Sequence, residues 1–310
     1  MKKKILITGG SGLLGSTLIR TAPANFEIHA TYHTNLLVPD IENCTFHYLE
    51  VRNKKMVDDL VSKVNPDIII HTIAKSSPDY CEQNQDESWD VNVNGTRYML
   101  NAAKKVDAYF TWMSSNQVFS GKNPPYFEDS QKDPVNFYGK TKVRSEEDVL
   151  KENSYASTIR LMTMYGWGNP EGQKNSAMWV IDMMKQKKEI KVVNDVFNNF
   201  LWVYDAARFI WKIIELKEKP SLIQIAGGET ANRYEFAKKV ATIFGFDSGL
   251  ISPVPKSYFE DEAPRPLNTI YDISNLKKLL NIEPAKLAEG LSEMKNVLQK
   301  ITWKTLKNER

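Results

Sequence analysis

Cysteine is almost absent from this 310-residue chain: Cys44 and Cys81 are the two, far apart in sequence. That spacing builds neither a disulfide framework nor a thiolate metal or redox site. Histidine numbers four, and no cluster has convincing ligand spacing, so no metal is expected. Charge of one sign is equally scarce. The 41 basic and 38 acidic residues leave a net +3, too small and scattered for a nucleic-acid surface but compatible with an anionic small substrate. No apolar run reaches membrane-spanning length. After Met1-Lys2-Lys3-Lys4 the apolar Ile5-Leu6-Ile7 is cut short by Gly9-Gly10, against a secretory leader. With 42% hydrophobic and 25% charged residues and no low-complexity segment, the expectation is a folded cytoplasmic protein. Its length suits one large α/β domain plus a smaller lobe.

Glycine is not abundant either, yet Gly9, Gly10, Gly12 and Gly15 crowd into one stretch near the N-terminus. The run Ile5-Leu6-Ile7 reads as a buried parallel strand, and Leu13-Leu14 with Leu18-Ile19 reads as the helix after it. A glycine turn between the two suits a nucleotide pyrophosphate. Gly9 permits the tight turn, Gly12 lets backbone approach the phosphates, and Gly15 lets the helix pack on the strand. Ser11, Leu13 and Leu14 belong to the same cradle.

Strand and helix then alternate, as a doubly wound parallel sheet requires. The second strand is expected at Phe26–Thr31. At its end stand Tyr32-His33-Thr34-Asn35, with no carboxylate to bind a ribose 2′-hydroxyl or repel a 2′-phosphate. NADPH is therefore favoured, with NADH as the alternative, although Tyr32 and His33 also read as loop surface. Phe46–Val51 reads as the third strand, Met56–Val64 as a helix, and Ile68–Thr72 as the fourth strand, which sets Thr72-Ile73-Ala74 at a carboxyl strand end. Glu87–Val106 is a long helical pattern. Tyr109–Met113 is the fifth strand and delivers Ser114-Ser115 to the sheet edge.

Tyr138 and Lys142 are four apart in a helical segment and share one face. A free phenol, with pKa about 10, is a poor acid–base group near neutrality. A neighbouring ammonium and an oxidised nicotinamide would draw it towards the working pH. In reduction Tyr138 would protonate a carbonyl oxygen, Lys142 would also hold the nicotinamide ribose, and Ser115 would stabilise the developing alkoxide.

Thr8-Gly9-Gly10-Ser11-Gly12-Leu13-Leu14-Gly15, followed by Tyr138-Gly139-Lys140-Thr141-Lys142, resembles the extended short-chain dehydrogenase/reductase family. That resemblance implies a Rossmann sheet with a smaller C-terminal substrate lobe. The expected division is 1–165 with returning segments around 196–226, against a lobe mainly within 166–310. It also implies that Glu50 and Val51 approach the adenine, and that Asn92, in Asn92-Val93-Asn94-Gly95-Thr96, holds active-site backbone; a capping or packing role for Asn92 is the other reading. Met113–Gly121, Asn123–Tyr126, Asp133–Lys142, Val64–Ile70, Arg160 through Tyr165-Gly166, and Arg265-Pro266-Leu267-Asn268 narrow it. They are similar to the dTDP-4-dehydrorhamnose reductase group, which reduces the 4-keto group of a nucleotide-linked 6-deoxysugar with NADPH.

The implied substrate contacts are Asn116, Gln117, Tyr165, Trp202 and Arg265. Arg265 stands between two prolines and could grip a phosphate with its fork; a surface ion pair is the alternative. The group usually has Thr-Asp-Tyr where this chain has Ser115-Asn116-Gln117. Asn116 also occurs in a sister branch that includes the regulatory β subunit of methionine adenosyltransferase, so an NADP-binding regulatory subunit is the rival reading. A 4,6-dehydratase is not expected, because the amides Asn116 and Gln117 cannot act as its additional acid and base. Asp205, in Asn199–Asp205, is expected to cap the helix that follows. The basic tail Lys304–Arg310 is expected to be solvated, and a homodimer is left open.

Overall fold

An unbroken apolar run can be buried on both faces, and from Ile5 onward β1 (Lys3–Thr8) is so buried in the computed structural model, which describes residues 2–152, 155–260 and 262–306. Ile5 and Ile7 face one core with helix α1 (Leu13–Arg20). Leu6 faces a second core, filled from α2 (Lys54–Val64) and α3 (Gly95–Lys105). This division follows from the two-residue period of a strand.

β1 pairs in parallel with β2 (Phe26–Tyr32), and β2 pairs outward with β3 (Cys44–Tyr48). On the other side follow β4 (Ile68–His71), β5 (Tyr109–Ser115), β6 (Ala156–Leu161) and β7 (Leu222–Ile225), all parallel. The order across the seven strands is β3-β2-β1-β4-β5-β6-β7. It reverses direction beside β1, and that reversal opens a crevice at the carboxyl ends of the strands.

Three elements differ from expectation. β3 ends at Tyr48, so Glu50 and Val51 lie in the turn beyond it rather than within it. The long helix before β5 is interrupted by a π turn over Asp90–Asn94. Helix α4 (Phe137–Leu150) follows β5, and α5 (Ser176–Lys185) follows β6. Helix α6 (Val203–Glu215) starts before Asp205, which sits in its first turn and caps nothing there. The Asp205 carboxylate instead accepts from Ala285 N (2.8 Å) and pairs with Arg208 (2.8 Å).

The smaller lobe holds the parallel pair Ile190–Val193 and Ile251–Val254, with α7 (Arg233–Phe244) and α8 (Leu287–Val297) packed together. α7 opens with a capping box of Asn232 and Glu235 and closes on Gly245 at φ 78°. The tail is less solvated than expected. Trp303–Thr305 pairs antiparallel with Leu37–Pro39, and the Arg20 guanidinium stands 4.2 Å over the Trp303 ring. The expectation for 307–310 lies outside the described residues. Among the described residues no helix is long and apolar enough to cross a membrane.

Candidate active site

The glycine turn fits a pyrophosphate for reasons visible in its backbone. Gly9 has φ 74°, where an L side chain is strained. Gly10 N donates to Thr31 O (2.7 Å), which ties the turn to the end of β2. A Cβ on Gly15 would lie 2.2 Å from Gly9 O, so the helix can approach the turn only with glycine there. Gly12 precedes α1 and offers no side-chain cap, which leaves the first N–H groups of the helix for an anion. Ser11 and Leu13 are half-buried at the rim, while Leu14 is interior.

At the adenosine end the predicted residues separate into two groups. Tyr32 is 4% exposed and packs edge-on against Tyr48 at 5.9 Å, so it supports the strand end. His33 stacks on Tyr48 at 5.6 Å, with its Nε2 3.2 Å from Glu50 Oε2. Val51 is buried against Gly95, whose added Cβ would meet both Val51 methyls at 3.0 Å. The sequence reading missed Arg52. Its Nε and Nη2 hold both Glu50 oxygens, at 2.9 and 2.6 Å. That fork holds the Glu50 carboxyl down to about 2. Arg52 belongs to the loop after β3, so no pattern at the end of β2 could have revealed it.

A polar chain runs from the turn to helix α4. Thr72 N donates to Thr8 Oγ1 (3.1 Å) and Thr72 Oγ1 to Thr8 O (2.6 Å). Thr8 Oγ1 meets His71 Nδ1 (2.8 Å), and His71 Nε2 meets Thr96 Oγ1 (3.3 Å). Burial holds His71 down to about 3, so its ring is neutral. Ile73 and Ala74 are half-buried beside this chain. Asn92, inside the π turn, clasps Lys75 backbone on both sides (2.8 and 3.0 Å) and donates to Thr141 Oγ1 (3.0 Å) in α4. Its geometry fits the backbone-holding role. A π turn leaves carbonyls for other donors, and Asn92 O here accepts from Ser145 and Thr96 hydroxyls.

Ser115, Tyr138 and Lys142 meet at the end of β5, at 8%, 7% and 4% exposure. Asn136 caps α4 by accepting from Gly139 N (2.8 Å), which sets Tyr138 in the first turn. Lys142 Nζ donates to Met113 O (2.8 Å) and lies over the Trp112 and Tyr138 rings at 4.8 and 5.8 Å. The ammonium thus lies over the phenol ring. Burial pushes Tyr138 up to about 12, against a lowering hydrogen bond with Ser115, and pushes Lys142 down to about 8. Desolvation, rather than the expected pull of Lys142, sets the direction for the phenol in the protein itself.

Behind the triad stands a buried pair the sequence reading did not single out. Glu146, one turn beyond Lys142, accepts from Ser114 Oγ (3.0 Å) and pairs with Arg160 of β6 (2.5 Å).

On the substrate side several expectations need correction. Tyr165 and Trp202 are each 1% exposed and pack on one another at 5.6 Å. Tyr165 abuts Gly290 of α8 and Trp202 donates to Glu293 (3.1 Å). Both are interior residues packed against α8 rather than open to a cleft. Asn116 is buried, donating to Thr269 Oγ1 (2.7 Å), and Gln117 accepts from the cap Asn136 (2.9 Å). Arg265 forms the ion pair: its fork grips Asp79 at 2.9 and 2.6 Å. That carboxylate also accepts from Ala263 N (3.1 Å), so the contact joins the two lobes.

Arg265 nevertheless lines a cavity of about 270 Å³ in the smaller lobe, together with Lys191, Arg233, Lys256, Trp179 and Phe259. Apart from Arg265, sequence reasoning found none of these, because they come from four separate segments. Among the described residues no group of three or more His, Cys, Asp or Glu could hold a metal ion.

The chain is 30% identical over 283 residues to methionine adenosyltransferase 2 subunit beta of Xenopus laevis, covering 89% of this chain and 82% of that protein. It is 25% identical over 292 residues to the spore coat polysaccharide biosynthesis protein SpsK of Bacillus subtilis, covering 94% and 96%. Its fold is similar to that of dTDP-4-dehydrorhamnose reductase from Bacillus anthracis, solved in complex with NADP. The TM-score is 0.83 at 25% identity, over 96% of this chain and 99% of that one. The resemblance drawn from the glycine turn and the Tyr138–Lys142 segment holds over nearly the whole length. The RmlD substrate binding domain family matches residues 2–300, and the chain belongs to that family.

Proposed function

We propose that this protein is an NADPH-dependent reductase of the 4-keto group of a nucleotide-diphosphate 4-keto-6-deoxysugar. The observation that carries this reading is the buried Ser115, Tyr138 and Lys142 set at the carboxyl edge of a sheet whose glycine turn ends in an uncapped helix. The turn, with Gly15 pressed on Gly9 O, fits a dinucleotide, and a nicotinamide bound there supplies the hydride. Tyr138, held protonated by burial with a pKa of about 12, is the donor that a carbonyl oxygen requires on reduction. Ser115 Oγ stands where it can bond the same oxygen and stabilise negative charge. Lys142, anchored to Met113 O, offers its remaining N–H bonds to a ribose. In the smaller lobe, the cavity with Arg233, Lys191 and aromatic walls suits a nucleoside diphosphate, because guanidinium and ammonium bind phosphate and rings stack on a base.

The test is NADPH oxidation with dTDP-4-keto-6-deoxy-L-lyxo-hexulose, comparing the natural protein with Tyr138→Phe. Turnover largely lost in the variant supports the reading; no turnover by the natural protein, with NADPH still bound, sinks this substrate.

A second reading, an NADP-binding regulatory subunit, is favoured by the 30% identity to the Xenopus laevis beta subunit. The amide Asn116, spent on protein partners rather than facing a sugar, also favours it. Affinity capture that recovers a stoichiometric partner enzyme, together with absent turnover, would select it.

A further inference from the structure

The ends of β2 and β3 lie side by side, with Tyr32 opposite Tyr48, and Gly10 N bonded to Thr31 O joins them to the phosphate turn. In sheets of this order the adenosine ribose lies just beyond that place. In sequence the end of β2 carries no carboxylate. Through space, one arrives: Glu50, 3.2 Å from His33. A carboxylate there would accept ribose hydroxyls and repel a 2′-phosphate, which favours NADH. The hydrogen bonds of Glu50 reverse that expectation. Its Oε1 accepts from Arg52 N and Nε (3.0 and 2.9 Å), and its Oε2 accepts from Arg52 Nη2 (2.6 Å). The carboxylate is thereby committed to the guanidinium, while the guanidinium keeps its Nη1 edge. That edge is 3.6 Å from Glu87, a loose contact, and the Arg52 side chain is 41% exposed. Glu87 is in turn held by Lys75 at 3.2 Å.

We infer that Arg52 is the residue that selects a 2′-phosphorylated dinucleotide, with Glu50 as the positioning residue that holds its Nε and Nη2 and leaves the Nη1 edge uncommitted. This rests on the cofactor reading above and deepens it. A 2′-phosphate replaces the weak contact to Glu87 with a charge-assisted bond to the Nη1 edge. Lys75, already paired with Glu87, leaves that carboxylate satisfied when Arg52 turns away. His33, flat against Tyr48, marks the other wall of the same site. NADH gains nothing from Arg52, because its ribose hydroxyl is neutral.

The test measures dissociation constants for NADPH and NADH by quenching of protein fluorescence, without substrate, for the natural protein, Arg52→Ala and Arg52→Lys. The expected result is tighter NADPH than NADH binding in the natural protein. Arg52→Ala should weaken NADPH about tenfold and change NADH less than about twofold, and Arg52→Lys should recover part of the loss. Raising salt from ~50 to ~300 mM should weaken NADPH more than NADH, and the difference should shrink in Arg52→Ala. Equal losses for both cofactors, or none for either, overturn the inference while leaving cofactor binding intact. A natural protein that binds neither cofactor overturns the inference and the reductase reading together. Circular dichroism and melting of the exposed-site variants exclude misfolding as the cause.

Discussion

On the sheet side of the cleft the functional side chains are buried and bonded to one another, from Thr8 through His71 and Thr96 to Asn92, Thr141 and the Lys142 helix. On the lobe side the cations that line the cavity are half-buried or exposed, and the best-defined contact, Asp79 to Arg265, is an ion pair at 38% and 18% exposure. The contrast has a physical meaning. Proton transfer needs a donor held to a fraction of an ångström in a dry site. A nucleoside diphosphate can be gripped by several cations at once, none of which needs such precision. On the function proposed above, the sheet side is preorganised and the lobe side adjusts around its ligand.

The largest test of this contrast is Tyr138→Phe. Turnover should fall by ~10²–10⁴-fold, while NADPH affinity changes little, since the ring packing stays. A variant with ordinary turnover would remove the sheet side from the chemistry.

Next come two ion pairs, one on each side. Arg160→Met removes the guanidinium partner of Glu146 in a fully buried place, and should cost about 3–5 kcal/mol of stability. Asp79→Ala breaks a solvated pair and should cost about 1 kcal/mol or less. Denaturant unfolding of both variants measures the gap, and equal costs would erase the distinction.

Two glycines sharpen it further. In Gly15→Ala the new Cβ meets Gly9 O at 2.2 Å, so the phosphate cradle must open. NADPH affinity should drop by more than about tenfold. In Gly245→Ala the site is sterically open but φ is 78°. The cost should be about 1–2 kcal/mol in stability, with NADPH binding unchanged.

The smallest effect is one of pH. Lys142 titrates at about 8 in the folded protein, below its unfolded value of 10.5. Between those values the unfolded chain binds more protons, so stability contributed by this residue rises with pH. Tyr138 acts oppositely and later: raised from 10.0 to about 12, it loses stability for the fold above pH 10. The melting difference between the natural protein and Lys142→Met should therefore shift in favour of the natural protein from pH 8 to 10. A flat difference would mean that Lys142 is not desolvated.

Much of the sheet side was legible because its signals are local. Ile5-Leu6-Ile7 before four glycines, and Tyr138 four residues from Lys142, are patterns whose consequences follow from strand and helix periods. Asp205 was misread for the same reason in reverse. Its place before an apolar helix looked like a cap, but α6 starts at Val203, and the carboxylate serves Ala285, eighty residues on. Tyr165 and Trp202 were misread because an aromatic near a strand end looks the same whether it faces a ligand or a neighbouring helix. Only the packing of α8 buries them.

The amino-acid sequence alone determined the glycine turn, the alternation of strands and helices, Ser115, Tyr138 and Lys142 as candidates, and the family. Each depends on residues within a few positions of one another, or on a pattern read along the chain. Only the tertiary structure decided that Glu50 stands at His33 and is claimed by Arg52, that Arg265 grips Asp79 across the lobes, and that four separate segments wall one cavity. Those contacts join residues whose meeting depends on how strands are ordered and lobes packed, and a charge carries no mark in sequence of the partner it will find.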